Sequence, residues 1–370
     1  MQKICLVIHS LGIGGMERVM AELANNFSAR EDVQVHIILI GRKREVAYQI
    51  SELVTIHKPN FRFQNKRRHL DTLRTIVFLR TTVKRINPDT VLSFGELWNN
   101  LVLIALKGLD VPIYISDRSQ PDKNLGQLHN YLRRQLYPKA EGYIAQTEKA
   151  REICLTNGWN TNVEVIGNPI RSIKREHAIQ KDNIVLSVGR LIDTKHFDQL
   201  IKIFVEVAPP GWRLMIVGGD AKKQNISSQL YSLVKELNAD GQVQLEGEQS
   251  DIHRYYNRSK IFAFTSSSEG FPNVIGEALS AGLPVVAYDC IAGPSEMIVD
   301  NKNGFLVPLF DQEKFKRKLK QLMNDEQLRN QMSEKCAESI SHLNSSDTAD
   351  RFFSFITINN HHYTPVRVGI

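Results

Sequence analysis

Short runs rich in Ile and Val alternate along this chain with longer amphipathic stretches. In the first half the runs read KICLVIH, VQVHIILI, TVLSF, PIYIS, GYIAQ and VEVIG; in the second they read NIVLSVG, RLMIVGG, VQLEG, KIFAFTS, PVVAYD and GFLVP. Near-continuous apolar strands separated by helices predict parallel sheets built from βαβ units, buried on both faces. The same unit opens each half. Residues 3–27 read strand, glycine-rich loop GIGG, then the amphipathic MERVMAELANNF; residues 183–208 read strand, loop GRLIDTK, then HFDQLIKIFVEVA. The expected fold class is α/β, with two Rossmann-like parallel-sheet domains facing each other across a cleft and ligands at the carboxyl ends of both sets of strands. The domains are placed at 1–170 and 183–345, joined by the polar segment 171–182. Helices are expected over DQEKFKRKLKQLM and DEQLRNQMSEKCAESISHL, a last helix over 346–358 is expected to pack back on the first domain, and 359–370 reads as a tail.

Composition agrees with two cores. A chain of 370 residues with 42% hydrophobic positions is too large for one ordinary domain. The opening run KICLVIHSL is too short for a signal or spanning segment, and no other stretch is long enough to cross a bilayer. Cys5, Cys154, Cys290 and Cys336 are scattered without a Cys-x-x-Cys pair, so neither a disulfide framework nor a zinc site is implied, and a reducing cytosol fits. Net charge is +7, and all of it belongs to residues 1–170, where 23 basic residues face 16 acidic ones. Residues 62–86 hold eight basic residues and one acid, Asp71. Leu70, Leu73, Ile76, Val77, Leu79, Val83 and Ile86 recur there at roughly helical spacing, which predicts an amphipathic helix with a basic face. A solvated outer helix and a contact with an anionic membrane surface both account for it. Nucleic acid is not expected, because no reader module accompanies the charge.

The candidate chemistry lies in the loops after the predicted strands. Gly12, Gly14 and Gly15 follow the first strand, where glycines let backbone N–H groups approach a phosphate or sugar at a helix N-terminus. Their Gly-x-Gly-Gly spacing is not the dinucleotide fingerprint, and HIILIGRKR turns basic where an acid would end the second strand. A tight structural turn is the alternative. In the second half, Arg190 and Lys195 lie five residues apart, one at a strand end and one at a helix start, so both can converge on one anion. A guanidinium fork with a lysine point charge suits a diphosphate; two solvated surface cations are the bland reading.

The stretch SSSEGFPNVIGEALSAGLPVV carries Glu269 and Glu277. Pro272 pre-sets the first turn of a helix, which leaves Glu269 in the preceding loop and Glu277 about one turn inside. Even on one helix they would lie about 80° apart, which is not the facing pair that a glycosidase sets about 5–10 Å apart across one bond. Two contacts on one elongated ligand are expected instead, sugar hydroxyls on one Glu and ribose hydroxyls on the other. Amides near Phe271 to Val274 would cradle phosphate between them. Carboxylates drawn to a helix N-terminus by its dipole are the alternative without a ligand.

GRLIDTKHFDQLI, SSSEGFPNVIGEALSAGLPVVAYDC, AGPSEMI and NGFLVP, in that order and spacing, resemble the carboxyl-terminal domain of family 4 retaining glycosyltransferases of the GT-B fold. GIGGMERVMAELAN, VLSFGELWNN, ISDRSQPD, YIAQTEKA and VIGNPI resemble the acceptor-side domain of the same family. The likeness covers nearly the whole chain and is similar in particular to bacterial members that build cell-surface polysaccharides or lipid-linked oligosaccharides. It implies that Arg190 and Lys195 bind the donor diphosphate, that Glu269 contacts the transferred sugar, and that Glu277 holds the ribose. Gly270, Phe271, Pro272, Asn273 and Val274 complete the donor loop, Glu248 and Gln249 lie where the nucleobase sits, and Gly14 and Gly15 approach the donor when the domains close.

The implied donor is a nucleotide sugar, most often a UDP-sugar, and no metal or other cofactor is expected. The implied acceptor is a lipid-diphosphate-linked glycan, met by a cytoplasmic enzyme peripheral to the inner face of the plasma membrane through segment 62–86. Many relatives carry Glu-His where this chain has Asp117-Arg118. Arg118 cannot serve as a general base near neutral pH, so it is expected in the catalytic site with Arg190, Lys195 and Glu269, either positioning the sugar or steadying negative charge on the acceptor or diphosphate, with Asp117 paired to it. Asn99 is a further acceptor candidate, with helix capping as its alternative. A sugar-nucleotide epimerase on the same fold and a non-catalytic membrane-associated scaffold subunit are the competing readings. The first needs acid and base residues that cannot be assigned; the second is opposed by intact Arg190, Lys195, Glu269 and Glu277.

Overall fold

Strand β1 (Gln2–Ile8) has its last five residues buried. Ile4, Leu6 and Ile8 enter one core cluster while Cys5 and Val7 enter another. A strand with no polar face requires cover on both sides, which makes it a central member of a parallel sheet. In the computed structural model, which describes residues 1–176, 180–221 and 224–358, the chain forms two compact units. Met1–Pro169 with the described residues from Ser345 onward make the first, and Ile170–Asn344 make the second. The expected tail, 359–370, lies outside the described residues.

In the first unit β1 is joined by β2 (Val33–Leu39), β3 (Val54–His57), β4 (Thr90–Phe94), β5 (Ile113–Ser116), β6 (Gly142–Ala145) and β7 (Val163–Val165). All pairs are parallel, in the order β3-β2-β1-β4-β5-β6-β7. The second unit has β8 (Ile184–Val188), β9 (Arg213–Val217), β10 (Val243–Gly247), β11 (Ile261–Phe264), β12 (Val285–Asp289) and β13 (Gly304–Pro308). These are again all parallel, in the order β10-β9-β8-β11-β12-β13. Each sheet therefore reverses direction beside its own first strand, between β1 and β4 and between β8 and β11. In open α/β sheets such a reversal leaves a crevice at the carboxyl ends, and the loops there are the natural place for ligands.

Two elements differ from the sequence expectation. Strand β3 was not predicted; its signal is only the short run VTIH at the sheet edge. Segment 171–182 was expected to link the domains, yet it begins as part of the second unit. Ile173, with Ile170 before it, is buried in the core against the helix Asn273–Ser280, and Arg175 donates to the carbonyls of Ser280 and Ser333 at 3.4 and 3.1 Å. A Cβ on Gly276 would stand 2.6 Å from Ile170 Cδ1, so this packing depends on the glycine. Ile173 within the polar stretch, Ile170 just before it and the Arg175 hydrogen bonds together dock it.

The helix Ser345–Thr357 buries Ala349, Phe352 and Ile356 in the same cluster as the helix Gly15–Ser28. The basic helix Arg68–Ile86 has two apolar faces. Leu79, Val83 and Ile86 are buried, whereas Leu70, Leu73 and Val77 remain 45%, 57% and 53% exposed.

Candidate active site

In the second unit the turn after β8 is tied to both neighbouring strands. Gly189 N donates to Val217 O at 3.0 Å and Leu191 N to Gly219 O at 2.9 Å, which fastens it to the end of β9. Gly218, at φ 153°, lies so close to the Gly189 carbonyl that any Cβ would collide with it. On the other side, Thr265 Oγ1 donates to Lys195 O at 2.7 Å and Ser267 N to Thr194 O at 2.8 Å. His196 takes a left-handed conformation at φ 50° to turn the chain into the helix Phe197–Val207, with its Nε2 2.8 Å from Ser267 Oγ. The loops after β8 and β11 are thereby laced together across the switch point.

This lacing brings Lys195 Nζ to 2.6 Å from Glu269 Oε1, with each side chain 15% exposed. The two were expected to take different parts of one ligand, and here they also hold each other. Arg190 is exposed in the same loop, and among the described residues no side chain pairs with its guanidinium. The arrangement offers a free bidentate cation, an ammonium at a fixed position, and a carboxylate that can accept hydroxyl protons.

Pro272 directly precedes the helix Asn273–Ser280, and Glu277 lies inside it, half-buried. The fully buried Tyr256 donates its hydroxyl to Glu277 Oε2 at 3.0 Å. Burial, and then the Glu277 charge, push the Tyr256 phenol well above its usual value, so it stays a donor. The amides expected to cradle phosphate are fewer than supposed. Pro272 has no N–H, and Asn273 N already donates to Phe271 O at 3.0 Å. The Phe271 side chain belongs to the core, Val274 packs against it, and Gly270 is half-buried between Glu269 and Phe271. Glu248 is exposed beside Gly219, whereas Gln249 is engaged, donating to Glu246 O at 2.6 Å and accepting from Arg254 at 3.1 Å.

The corresponding edge of the first unit is organised differently. Gly14 was expected to offer its backbone, but the Tyr48 hydroxyl takes both sides of it: Gly14 N donates to Tyr48 at 3.0 Å and Tyr48 donates to Gly14 O at 2.8 Å. Gly15 is exposed as the first residue of its helix. Next to the loop, His9 Nε2 lies 3.2 Å from Glu17 Oε1 and the ring stacks on Trp98.

Asn99 and Asp117, expected to meet the acceptor, are buried, at 0% and 4% exposure. Asn99 accepts from Ser93 and donates to Ser116 O and Asp117 Oδ1. Asp117 does not pair with Arg118. Its partners are Tyr137, which donates at 2.6 Å, and Arg133 at 3.2 Å, with both charged side chains 3% exposed. Burial pushes the Asp117 carboxyl up, with Arg133, Tyr137 and Asn99 opposing it.

Arg118 is held elsewhere. It donates to Ser116 Oγ and to Asn168 Oδ1 at 3.2 and 2.6 Å, and lies 4.1 Å above the Phe94 ring. Burial pulls its guanidinium down from 12.5 to about 9, which leaves it a cation at neutral pH. Arg133, Tyr137, Tyr48 and Tyr256 were not singled out from sequence, because each acts through a contact with a residue far away along the chain.

The family description "Glycosyl transferases group 1" matches residues 169–339, and "Glycosyltransferase Family 4" matches residues 13–172. A Campylobacter jejuni protein is 30% identical over 89% of this chain and 92% of its own length; it is named N-acetylgalactosamine-N,N'-diacetylbacillosaminyl-diphospho-undecaprenol 4-alpha-N-acetylgalactosaminyltransferase. This chain belongs to glycosyltransferase family 4. The Erwinia amylovora amylovoran biosynthesis glycosyltransferase AmsD is 29% identical to the glycosyltransferase over 89% of this chain and 92% of that one. Among solved structures, Anabaena HepE in complex with UDP superposes with a TM-score of 0.80 at 17% identity, over 97% of this chain and 100% of that one. That likeness shows the shared fold, GT-B, with two Rossmann-like parallel sheets of seven and six strands.

Proposed function

We propose that this glycosyltransferase moves a hexose or N-acetylhexosamine, with retention at the anomeric carbon, from a UDP-sugar to a lipid-diphosphate-linked glycan in the assembly of a bacterial surface polysaccharide or related glycan. One observation carries the reading: Lys195 and Glu269 meet at the carboxyl edge of the second sheet, in a loop that also exposes Arg190. The names of the relatives support the donor and acceptor classes. The Campylobacter protein is named for a diphospho-undecaprenol substrate, and the Anabaena protein was solved with UDP.

Breaking the bond from the anomeric carbon to the diphosphate leaves an oxocarbenium-like sugar and a leaving group that gains negative charge. Arg190 and Lys195 stabilise that charge, and fixed cations do so without reorganising as it develops. Glu269 holds hydroxyls of the transferred sugar, and also keeps Lys195 in place. Glu277, held by Tyr256, accepts from the ribose hydroxyls. The acceptor hydroxyl attacks from the face that the diphosphate leaves, and its proton passes to the departing phosphate oxygen, so no separate protein base is compulsory. Arg118, fixed on Phe94, steadies negative charge on the acceptor side.

Incubation with a panel of UDP- and GDP-sugars, read by slow donor hydrolysis and by protection against thermal unfolding, tests this directly. A UDP-sugar should protect, and Lys195→Ala should lose protection and lower turnover by about 10²- to 10³-fold. Absence of binding by every donor, or equal binding by the variant, overturns the diphosphate assignment.

Docking on an anionic membrane is part of the same proposal. Among the described residues no helix is long and apolar enough to cross a membrane. The helix Arg68–Ile86 exposes Leu70, Leu73 and Val77 on a strongly basic segment, which suits shallow insertion beside anionic headgroups. Flotation with anionic liposomes should fall when Arg67, Arg68, Arg74 and Lys84 are neutralised together; unchanged flotation defeats the docking surface.

A further inference from the structure

The second unit carries a cationic hollow at the edge of its sheet opposite the candidate site. Arg190, Lys195 and Glu269 follow the carboxyl ends of β8 and β11, whereas Lys181, Lys260 and Pro284 lead into the amino ends of β8, β11 and β12. The five residues of β8, at about 3.3 Å each, set the two edges about 16 Å apart. A cavity of about 290 Å³ opens there, lined by Lys181, Lys260, Arg329, Asn330, Ser333 and Glu326 among others.

Its cations are poorly matched by carboxylates. Lys181 Nζ is buried and, among the described residues, has no hydrogen-bond partner. Lys260 donates to the neutral Asn183 Oδ1 at 2.8 Å. Arg329 donates to the carbonyls of Leu322 and Met323 at 2.6 and 3.0 Å. Beside the hollow, the Arg175 guanidinium packs so tightly on the lining Gly282 that a Cβ there would collide with it, and it donates to the carbonyls of Ser280 and Ser333 at 3.4 and 3.1 Å. Glu326 is the one acid among the lining residues.

A buried ammonium without a partner is costly, and an anion at hydrogen-bond distance removes the cost. Burial, and then the charge of Arg175, draw Lys181 down to about 8, so at neutral pH most of it is still protonated and able to receive one. The cavity is at the small end for an organic ligand. It therefore suits a compact anion better than a nucleotide sugar.

We propose that this hollow is a second anion site, taking a phosphate group, inorganic or carried by a small monoester, on Lys181 and Lys260. The site is independent of the donor reading, because it uses none of the same residues and lies at the opposite end of the strands.

Thermal unfolding of the full chain in inorganic phosphate, against sodium chloride at equal ionic strength, tests it. Phosphate should raise Tm saturably by about 3 °C in the wild type and in Lys195→Ala. The increment should vanish in Lys181→Met, which stays folded in chloride because it removes an unpartnered buried charge. Should Lys181→Met fail to fold, Lys260→Met takes its place, with the increment again expected to shrink. Glucose 1-phosphate assayed in Lys195→Ala distinguishes the sources: an equal increment assigns the monoester, and an increment with inorganic phosphate alone assigns the free ion, either of which sustains the site. No increment over chloride, an increment kept in the Lys181 and Lys260 variants, or one lost in Lys195→Ala overturns it.

Discussion

The loops after β1 and β8 occupy the same place in two sheets wound in the same order, and they are equipped in opposite ways. After β1 the polar groups satisfy one another: Tyr48 closes on Gly14, and Asp117 at the end of β5 is locked by Arg133, Tyr137 and Asn99 below the surface. After β8 the polar groups remain near solvent, with Arg190 exposed and the Lys195 and Glu269 pair only partly covered. Topology supplies a crevice in both units. Whether that crevice presents charge to a ligand depends on how many of its polar side chains are consumed by the protein itself.

The largest effect should come from breaking the closed side. Asp117→Ala leaves Arg133 buried without its counter-charge and should destabilise the first unit by about 3–5 kcal/mol in denaturant unfolding; a variant as stable as wild type would mean that the network is not structural. Lys195→Ala, the matching change on the open side, should instead lose turnover while its unfolding midpoint stays near the wild-type value, and a large drop in midpoint would erase the contrast.

Next in size is Tyr256→Phe, which removes a hydrogen bond to a charged group. It should raise KM for the donor about tenfold with kcat nearly unchanged. An unmoved KM would reduce Tyr256 to packing.

The smallest effect is a pH dependence confined to the first unit. His36 Nδ1 lies 3.1 Å from His57 Nε2. Burial lowers both, reinforced for His36 by His57 and Lys3, and for His57 by Arg85. Their folded values lie below the ordinary 6.5, so between the two the unfolded chain binds more protons. The stability they contribute is full above about 6.5 and is lost as pH falls from there through the folded values. Unfolding midpoints measured from pH 8 to 5 should fall at the acid end, and His36→Gln should flatten the fall; an identical slope in the variant would remove the pair as its cause.

Both sheets were legible in the sequence because their inner strands are buried on two faces and read as apolar runs rich in Ile and Val; the half-covered edge strands β7 and β10 were still found beside them, whereas the edge strand β3, four residues long, was not. Arg190, Lys195, Glu269 and Glu277 were legible as candidates because strand ends and a helix-starting proline locate their loops. Asn99, inside the helix Glu96–Ala105 that follows β4, and Asp117, just past the end of β5, looked like surface polar groups by the same reasoning, since a polar residue in such a place carries no mark of whether it will be covered.

Legible along the chain were the alternation that builds two α/β units, the placement of charge in the first half, and the positions of the loops that can bear chemistry. These follow from local periodicity and from residues close together in the chain. Tertiary structure alone decided that Glu269 meets Lys195 from 74 positions away, that Tyr256 holds Glu277, that Tyr48 occupies Gly14, and that Asp117 chooses Arg133 over the adjacent Arg118. Such choices turn on burial and on distances of a few ångströms between distant segments, and only the packed chain fixes those.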